Sequence, residues 1–518
     1  MPKKFYLTTP LYYVNDVPHI GHSYTNILAD CVARFKRLEG RDVFFLTGTD
    51  EHGEKIARAA EAAGETPQAF VDRISPRFRE LWAALGVSHD DFIRTTEDRH
   101  VRTVAWVLGR LKESGDIYAG EYGGFYCTPC ETFWTEAELK AQPGAGSRLL
   151  CPSCARPVEP LREKNYFFRM SRYQAELVRH IEMNPGFIRP EARRNEILSF
   201  LKGPLNDLCV ARPKSRLSWG IPIPFDPSYV TYVWVDALIN YVSACGLGLD
   251  EGRFGKWWPA DVHLIGKDIL RHHTVIWISL LMALKLPLPA TVLAHGWWTV
   301  RGEKMSKSKG NVVDPHRAIE AWGRDAYRYF LLREVPLGQD GDYSETALSQ
   351  RYRNDLANDF GNLVNRTLSM VHRYFGGHIP DPNRAGGESP LKGQALELGP
   401  RVRECMDQYL FKESLEEIWK VVERANRYVE ETRPWDLARE KREAELGLVL
   451  YGLCEVVRIL GVLTEPFLPD TARAIDVMLG ADLKVGGRWE SACRWGSGRP
   501  GQRLGSLAIL FPRRETDG

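Results

Sequence analysis

Short apolar runs alternate with a helical pattern in the opening hundred residues, and this alternation restricts the fold more than any other feature. Phe5–Thr9 is a short apolar run, and apolar residues then recur every three or four positions across about Tyr24–Leu38. Gly40 ends that predicted helix, and Val43–Leu46 is a second run, apolar throughout. Strands joined through a helix lie parallel. The pattern predicts an α/β fold with a doubly wound parallel sheet and a ligand crevice at the carboxyl ends of its strands.

The alternation is interrupted and then resumes. From about Tyr118 glycines, aromatic residues and paired cysteines dominate, which predicts an insertion. Strand, helix and strand follow again at Val262–Ile265, Ile269–Leu284 and Thr291–Ala294, so we expect the two halves to complete one sheet. After Tyr327 strand patterns become rare. The successive helices predicted there are Tyr352–Tyr374, Gln394–Met406, Phe411–Glu431 and Glu443–Leu463.

Composition sets limits on the class of protein. The 518 residues are too many for one compact domain, and the 44% hydrophobic fraction is ample for several cores. A net charge of +2 gives no indication of a polyanionic partner. Such a partner would have to bind local basic patches on the surface. The N-terminus lacks the features of a signal peptide, and no stretch reaches the roughly 18 uninterrupted apolar residues of a membrane span. We therefore expect a cytoplasmic protein without a membrane partner, whose six scattered cysteines are reduced thiols.

A short histidine motif lies between the first predicted strand and the first predicted helix. The segment is Pro18-His19-Ile20-Gly21-His22. At a helix N-terminus, free backbone N–H groups and the helix dipole favour phosphate. Two histidines can donate to phosphate oxygens, and Gly21 lets a purine or phosphate approach the backbone. In isolation the motif is equally typical of a glycine turn with two partly exposed histidines.

A second, lysine-rich segment follows the last predicted strand. It runs Arg301-Gly-Glu-Lys304-Met-Ser-Lys307-Ser308-Lys-Gly310. Such a cationic loop fits the stabilisation of phosphate charge during displacement at phosphorus, where the protein mainly positions groups. It does not contain the Walker pattern, so a P-loop is excluded. A solvated basic loop is the alternative.

Four cysteines form two tight pairs inside the predicted insertion. Cys127 and Cys130 are followed after twenty residues by Cys151 and Cys154, which matches a zinc pattern. Four thiolates close a tetrahedral shell, so the predicted zinc ion, one per chain, is structural.

An aromatic stripe precedes the second half of the predicted sheet. Trp234, Leu238 and Tyr241 are spaced i, i+4 and i+7, which places them on one helical face. Two aromatic residues beside an aliphatic one suit a thioether side chain. The same spacing is also typical of an ordinary core.

The two segments together resemble the active-site motifs of class I aminoacyl-tRNA synthetases. We name them the HIGH segment (His19–His22) and the KMSKS loop (Lys304–Ser308). Motifs across the chain narrow the resemblance to the methionyl-tRNA synthetase family. They are Thr8–Tyr13, Thr47–Gly53, Tyr232–Tyr241, His263–Asp268 and His295–Ser308. The family activates L-methionine with ATP, accompanied by Mg²⁺, as methionyl-adenylate and transfers methionine to the terminal ribose of tRNA(Met).

The resemblance also implies a division of the chain. A Rossmann-type catalytic domain is expected over residues 1–117 and 232–326. A connective domain with a zinc knuckle at about 123–157 is inserted over 118–231. A stem-contact connector over 327–352 leads to an all-α anticodon-binding domain over 353–518. About 110 residues of insertion leave no room for the editing domain of the leucine, isoleucine and valine enzymes, and no further tRNA-binding domain follows, so we expect a monomer.

Site residues follow from the family by position. The methionine pocket is expected to contain Leu11, Tyr13, Asp50, Trp234, Leu238, Tyr241 and His295, with Asp50 pairing with the substrate ammonium. Some relatives carry proline where this chain has Leu238, so the shape of the pocket is expected to differ slightly. The residues expected to bind ATP are His19, Gly21, His22, Lys267, Asp268, Lys304 and Lys307, with His19, His22, Lys304 and Lys307 catalytic.

The helical region resembles the part of the family that binds the anticodon. Asn426 and Trp495 match its base-reading positions, since an asparagine can bond a base edge and a tryptophan can stack on a splayed base. From its pattern alone, the segment around Asn426 is a charged helix end. Two other functions stay open at this point. A small-molecule nucleotidyltransferase would not need the knuckle and bundle, and a non-catalytic tRNA-binding paralogue would not need intact ATP motifs.

Overall fold

A computed structural model describes residues 3–128, 132–134, 136, 139, 149–152, 154–304, 313–480, 489 and 493–513. Its strands are β1 Lys4–Tyr13, β2 Asp42–Asp50, β3 Asp91–Arg94, β4 Ile117–Cys127, β5 Thr132–Trp134, β6 Glu159–Phe168, β7 Ile188–Arg189, β8 Leu208–Cys209, β9 Ala211–Pro213, β10 Pro222–Ile223, β11 Asp226–Thr231, β12 Val262–Gly266, β13 Thr291–His295, β14 Trp298–Val300, β15 Glu303–Lys304 and β16 Gly341–Asp342.

The α-helices surround the sheets and then form the C-terminal region alone. They are α1 Ile20–Leu38, α2 Glu54–Ala62, α3 Pro67–Leu85, α4 Asp98–Glu113, α5 Gln174–Met183, α6 Glu191–Phe200, α7 Val233–Ser243, α8 Glu251–Trp257, α9 Trp277–Ala283, α10 Pro315–Trp322, α11 Arg324–Arg333, α12 Glu345–Arg351, α13 Asn362–Phe375, α14 Lys392–Asp407, α15 Phe411–Thr432, α16 Pro434–Arg439, α17 Glu443–Thr464 and α18 Pro469–Leu479.

The central sheet has six strands in the order β3-β2-β1-β12-β13-β7, and all neighbouring pairs are parallel. Its interior strands are buried on both faces and mainly apolar, as in other parallel sheets covered by helices. The chain winds outward from β1 in one direction and from β12 in the other. This reversal opens a crevice at the carboxyl ends of β1 and β12. The predicted α/β architecture with a parallel sheet is confirmed.

The insertion builds a separate antiparallel sheet in the order β5-β4-β6-β8. Its two long strands pair along their whole length, from Ile117 opposite Phe168 to Tyr126 opposite Glu159. Later in the same stretch of chain, β7 returns to the central sheet and pairs with β13 at its edge. The cysteine-bearing hairpin is therefore carried by its own sheet, separate from the central one.

The predicted helix over Ile269–Leu284 is not continuous. A 3₁₀ turn at Lys267–Ile269 leads into a π-helical turn at His272–Ile276, and only then does α9 begin. Two side chains explain the widened turn, because His273 Nδ1 and Thr274 Oγ1 each bond the carbonyl four residues earlier, at 2.9 and 2.8 Å. The helix was predicted from apolar spacing, which carries no information about these bonds.

The C-terminal region is helical, as predicted. Its central helix, α17, is long and apolar enough to cross a membrane by length and composition, but 94% of its apolar stretch is buried inside the protein. A helix that is apolar all round needs such complete burial. Neighbouring helices α13, α15 and α18 supply the cover.

One buried arginine joins the catalytic part to the helical part. Arg328 on α11 is fully buried and its Nη1 lies 2.8 Å from Asp30 Oδ2 on α1. The same guanidinium donates to the carbonyls of Pro466 and Phe467, just before α18. Burial alone would raise the pKa of Asp30, but Arg328 and Arg34 hold it below its usual range. The junction therefore contains an ionised, fully bonded pair.

Candidate active site

The HIGH segment forms the first turn of α1, with His19 as its N-cap. The His19 ring accepts from the Gly21 backbone N–H at 3.1 Å, and the His22 ring accepts from the His19 backbone N–H at 3.0 Å. This reciprocal arrangement has the geometry of a capping box, with two histidines in place of the usual residues. The helix begins at Ile20, four residues before the start expected from apolar spacing, because the capping bonds rather than hydrophobic contacts define its end.

Capping also sets which ring nitrogen of each histidine carries hydrogen. In both rings Nδ1 accepts from a backbone N–H, so in the neutral imidazole the hydrogen resides on Nε2. Burial, with the charge of His19 as the smaller cause, holds the pKa of His22 well below its usual value. The rings stack at 3.9 Å between centroids. The segment therefore presents two aligned N–H donors at a helix N-terminus, where anions bind favourably.

A cavity of about 590 Å³ opens at the crevice between β1 and β12. All seven predicted methionine-pocket residues lie on its wall, namely Leu11, Tyr13, Asp50, Trp234, Leu238, Tyr241 and His295. Four of the predicted ATP residues lie on the same wall, namely His19, Gly21, His22 and Asp268. Residues from five separate parts of the sequence thus meet in one cavity, and we call the two parts of its wall, after the predictions, the methionine end and the ATP end.

Helix α7 supplies the aromatic wall of the methionine end. The Trp234 ring stacks on His272 at 3.7 Å, and the Tyr241 hydroxyl lies 2.7 Å from His273 Nε2. Because His273 Nδ1 donates to the Ile269 carbonyl, its Nε2 accepts from the Tyr241 hydroxyl. Burial lowers the pKa of His272 to about 3 and that of His273 to about 4. Both rings are therefore neutral at physiological pH.

His295 closes the same end from the last residue of β13. Its Nδ1 lies 2.7 Å from the Gly296 carbonyl, and its Nε2 lies 2.8 Å from Thr25 Oγ1 on α1. Burial lowers its pKa as well. Asp50, at the end of β2, is the buried carboxylate of this end. Neutral, polarisable rings near one buried carboxylate fit an amino acid with an uncharged side chain and an α-ammonium group.

His272, His273 and Thr25 were missed by the sequence analysis. The two histidines lie on the π-helical turn, and both line the cavity. Their sequence signal is a pair of polar rings four and five residues after Asp268, at the start of an otherwise apolar helix. Thr25 gives a weaker signal, because a threonine one turn after the HIGH segment is also typical of a helix interior.

The ATP end carries its charges on connecting segments. Lys267 follows β12 and its Nζ lies 2.7 and 2.6 Å from the two carboxylate oxygens of Asp340. Asp340 also accepts from the Trp297 backbone N–H at 2.8 Å, and the Trp297 indole donates to Asp268 at 3.1 Å. The structure therefore places Lys267 in an ion pair beside the cavity rather than on its wall.

Only the approach to the KMSKS loop lies within the described residues. Strand β15 pairs with β14, and the turn between them passes through Arg301 and Gly302, both with positive φ. Asp342 accepts from the Gly302 N–H at 2.8 Å and from Thr299 Oγ1 at 2.7 Å, which fastens this turn. The Lys304 backbone is in β15, whereas its side chain and Lys307 lie outside the described residues.

Three of the predicted metal ligands converge in the hairpin of the insertion. The Sγ atoms of Cys127, Cys151 and Cys154 all lie within 4.8 Å of one another, and Cys127 Sγ is 3.6 Å from Cys154 Sγ. Tetrahedral zinc with Zn–S bonds of about 2.3 Å requires sulfurs about 3.8 Å apart, so the cluster fits such an ion. The fourth predicted ligand, Cys130, lies outside the described residues. Cys154 also lines the active-site cavity.

The predicted anticodon residues lie on different elements. Asn426 on α15 donates to the Asp359 carbonyl at 3.1 Å. Trp495 is partly buried in the C-terminal segment beside Gly452 of α17. In the part of the chain that the structure describes, no hydrogen bond or ring contact joins the two side chains.

Comparison with known proteins adds evidence that is independent of this geometry. A family model described as tRNA synthetases class I (M) matches residues 5–368, and one described as Anticodon binding domain of methionyl tRNA ligase matches residues 387–495. The methionine–tRNA ligase of Caldanaerobacter subterraneus subsp. tengcongensis is 50% identical, covering 100% of this chain and 80% of that protein. The Thermotoga maritima enzyme is 47% identical, covering 98% of this chain and 80% of that protein.

Solved structures agree. The structure of Mycobacterium tuberculosis methionyl-tRNA synthetase in complex with methionyl-adenylate has a TM-score of 0.93 and 43% identity, covering 99% of this chain and 100% of that chain. The apo form of the same enzyme has a TM-score of 0.87 and 39% identity, covering 99% of each chain.

The parallel sheet, with its HIGH segment and helical C-terminal region, is that of a class I aminoacyl-tRNA synthetase. Sequence identity of 50% over the whole chain to a methionine–tRNA ligase narrows this class to one family. The chain belongs to the methionyl-tRNA synthetase family, and it is an enzyme with methionine–tRNA ligase activity. This confirms the resemblance to the methionyl-tRNA synthetase family and sets aside both the small-molecule nucleotidyltransferase and the non-catalytic paralogue.

Proposed function

We propose that the cavity binds L-methionine and ATP side by side and makes methionyl-adenylate, from which methionine passes to the 3′-terminal ribose of tRNA(Met). The observation that carries this proposal is the meeting of the predicted methionine residues and the HIGH segment on one cavity wall. The methionine carboxylate attacks the α-phosphorus and pyrophosphate leaves. The ribose hydroxyl then attacks the acyl carbon, loses its proton, and AMP leaves.

The methionine end supplies orientation and selectivity. The Asp50 carboxylate binds the substrate ammonium, a charge-assisted contact. Trp234, Leu238 and Tyr241 enclose the thioether, and sulfur–aromatic contacts contribute about 0.3–1.5 kcal/mol each. Neutral His272 and His273 behind them offer no charge to an acidic or basic side chain. This arrangement favours a flexible apolar side chain of intermediate length.

The ATP end supplies charge stabilisation. The Nε2–H groups of His19 and His22 donate to phosphate oxygens as negative charge shifts toward the leaving group. Asp268 and Lys267 lie just after β12. Lys304 and Lys307 are proposed, from the sequence motif, to add positive charge. Mg²⁺ accompanies ATP as part of the substrate complex, neutralising phosphate charge.

Zinc is proposed for the cysteine cluster. Cys127, Cys151, Cys154 and, by sequence, Cys130 would hold the ion, which supplies a structural cross-link with no open position for chemistry. Elemental analysis of the purified protein is expected to find about one zinc per chain, the occupancy of a single closed four-ligand site. A folded protein free of metal would contradict this assignment.

The helical domain is proposed to bind the anticodon of tRNA(Met) through Asn426 and Trp495. The match of residues 387–495 to an anticodon-binding domain supports this part of the proposal. We further propose that the enzyme works in the cytoplasm as a monomer. Trp495→Ala is expected to weaken aminoacylation and to leave pyrophosphate exchange without tRNA unchanged.

Pyrophosphate exchange with each of the twenty amino acids tests the activity itself. We expect strong exchange with methionine and weak exchange with all others, because Trp234, Leu238 and Tyr241 form an apolar wall near Asp50, the acid proposed to bind the ammonium. Strong exchange with a different amino acid would overturn the proposed substrate. Transfer of label from methionine to tRNA(Met) tests the second step separately.

A further inference from the structure

Three buried polar residues to which the proposed function gives no role form one network behind the methionine end. Asp236 on α7 has a fully buried carboxylate. Its Oδ2 lies 2.8 Å from His52 Nδ1, and its Oδ1 lies 2.7 Å from His100 Nε2. His52 follows β2 and His100 lies in the first turn of α4. A single carboxylate thus joins three elements of the catalytic domain.

The network is ionised and its hydrogen bonds have defined directions. Burial alone would raise the pKa of Asp236, but His52 and His100 hold it below its usual range. An ionised carboxylate only accepts, so both imidazole nitrogens that face it carry hydrogen. His100 Nδ1 is bonded in turn to Ser243 Oγ at 3.0 Å, at the other end of α7. The helix is therefore held at its first turn and at its last.

The position of Asp236 on α7 separates it from the substrate. At 100° per residue, Asp236 points about 200° away from Trp234 and from Leu238. The latter two line the cavity, whereas Asp236, His52 and His100 lie behind its wall. Asp236 therefore acts on the back of the helix whose front forms the aromatic wall.

His52 is close in sequence to Asp50, the acid that is proposed to bind the substrate ammonium. His52 is two residues after Asp50, and the strand end between them is firmly held. Glu51 accepts from Arg94 Nε and Thr96 Oγ1 at 2.7 and 2.6 Å, and its carbonyl accepts from the Trp219 indole. His52 and Asp50 therefore belong to one anchored strand end, and the bond of His52 to Asp236 ties this strand end to α7.

We propose that Asp236, held by His52 and His100, is a positioning residue that sets the distance between Asp50 and the aromatic wall of α7. This distance determines whether one amino acid can reach the acid with its ammonium and the aromatic rings with its side chain. The inference rests on the proposed methionine pocket and adds a determinant of its dimensions. ATP binds at the other end of the cavity and does not depend on this distance.

Matched substitutions test the network. Asp236→Ala, His52→Ala and His100→Ala each remove a bond that holds the distance. Asparagine places its amide nitrogen where imidazole has Nδ1, and glutamine places it where imidazole has Nε2. His52→Asn and His100→Gln therefore keep the donor that faces Asp236. Methionine KM and ATP KM are measured by pyrophosphate exchange, together with the kcat/KM ratio of methionine to norleucine.

The expected result separates the two substrates. The alanine variants should raise methionine KM on the order of 10- to 100-fold, as small displacements of reacting groups do, and reduce discrimination against norleucine. ATP KM should not change. His52→Asn and His100→Gln should restore methionine KM to near the wild-type value. Alanine variants with wild-type methionine KM and wild-type discrimination would overturn the proposal, as would a parallel rise in both KM values.

A control variant separates positioning from general loss of stability. Glu455 on α17 is equally buried, pairs with Arg458 and accepts from Gly498 N at 2.6 Å. Glu455→Gln should lower the melting temperature without changing methionine KM. If an alanine variant does not fold, His100→Asn against His100→Gln decides, since only glutamine reaches Asp236, and equal methionine KM values would overturn the proposal. Failure of wild-type enzyme to activate methionine would instead refute the proposed function.

Discussion

The two ends of the cavity are built by different physical means. At the methionine end, neutral rings are held by buried hydrogen bonds whose directions are set, as between Tyr241 and His273. At the ATP end, charged groups are placed on connecting segments, and Lys267 is paired with Asp340, whose side chain is 43% exposed. A preorganised pocket selects a small substrate by shape, whereas exchangeable ion pairs can be replaced by the phosphates of ATP. This difference supports the proposal that one end provides selectivity and the other provides charge stabilisation.

The largest effect is expected at the ATP end. Lys307→Ala should reduce kcat for pyrophosphate exchange by roughly 10²- to 10³-fold, the range seen when a group that stabilises transition-state charge is removed. Methionine KM should stay the same, because the lysine belongs to the other end. Single-turnover adenylate formation measures this directly. Near-normal exchange in the variant would contradict the assignment of Lys307.

The second-largest effect is expected on methionine KM alone. Asp50→Asn removes the charge that pairs with the ammonium, and a hydrogen bond to a charged group contributes about 1.5–3 kcal/mol, or roughly 10- to 150-fold in KM. ATP KM should not change. Steady-state kinetics with each substrate varied in turn gives both values. An equal rise in ATP KM would show that the two ends are not separate.

A smaller change is expected from a single hydroxyl. Tyr241→Phe removes the hydrogen bond to His273, which is expected to weaken methionine binding by about 1 kcal/mol. Methionine KM should therefore rise roughly five-fold. Trp277→Phe is a matched control, because its indole donates to His263 behind the wall. Unchanged methionine KM in Tyr241→Phe would show that the hydroxyl does not hold the ring in place.

The exchangeable character of the ATP end is tested at Asp340. Asp340→Asn weakens the ion pair that competes with ATP phosphates for Lys267. A partly exposed ion pair contributes at most about 1 kcal/mol. ATP KM should therefore fall by no more than roughly five-fold. Methionine KM should stay constant. A rise in ATP KM would instead mean that Asp340 holds Lys267 in its working position.

The smallest effect on methionine KM is expected from lowering the pH. With pKa values lowered to about 3 and about 4, His272 and His273 stay neutral, so methionine KM should be constant from about pH 7.5 to about pH 5.5, across the ordinary histidine pKa of about 6.5. Stability should fall in the same window, because unfolded histidines bind protons near pH 6.5 and folded ones do not. Thermal melts and kinetics at each pH measure the two trends. A methionine KM that follows an ordinary histidine titration would show that the rings are solvated.

The sheet and the HIGH segment could be predicted because their signals are local. Apolar spacing marks strands and helices one by one, and a motif at a strand–helix boundary lies at the carboxyl end of its strand. The bond between Asp236 and His100 joins residues 136 positions apart and has no periodic signal. The same is true of Lys267 and Asp340, 73 positions apart. The π-helical turn at His272–Ile276 depends on side-chain bonds to the backbone, so apolar spacing predicted a continuous helix instead.

The burial of α17 has a consequence for how the chain acquires its structure during synthesis. A helix without an exposed face cannot be stable by itself in water, and α13 and α15 need it to cover their own apolar sides. The ribosome releases those helices first. Helices α13 and α15 cannot pack fully until residue 464 has emerged. Until then their apolar surfaces are exposed and can bind chaperones or aggregate. We therefore expect the C-terminal region to condense late, in one cooperative step, after the catalytic sheet has formed.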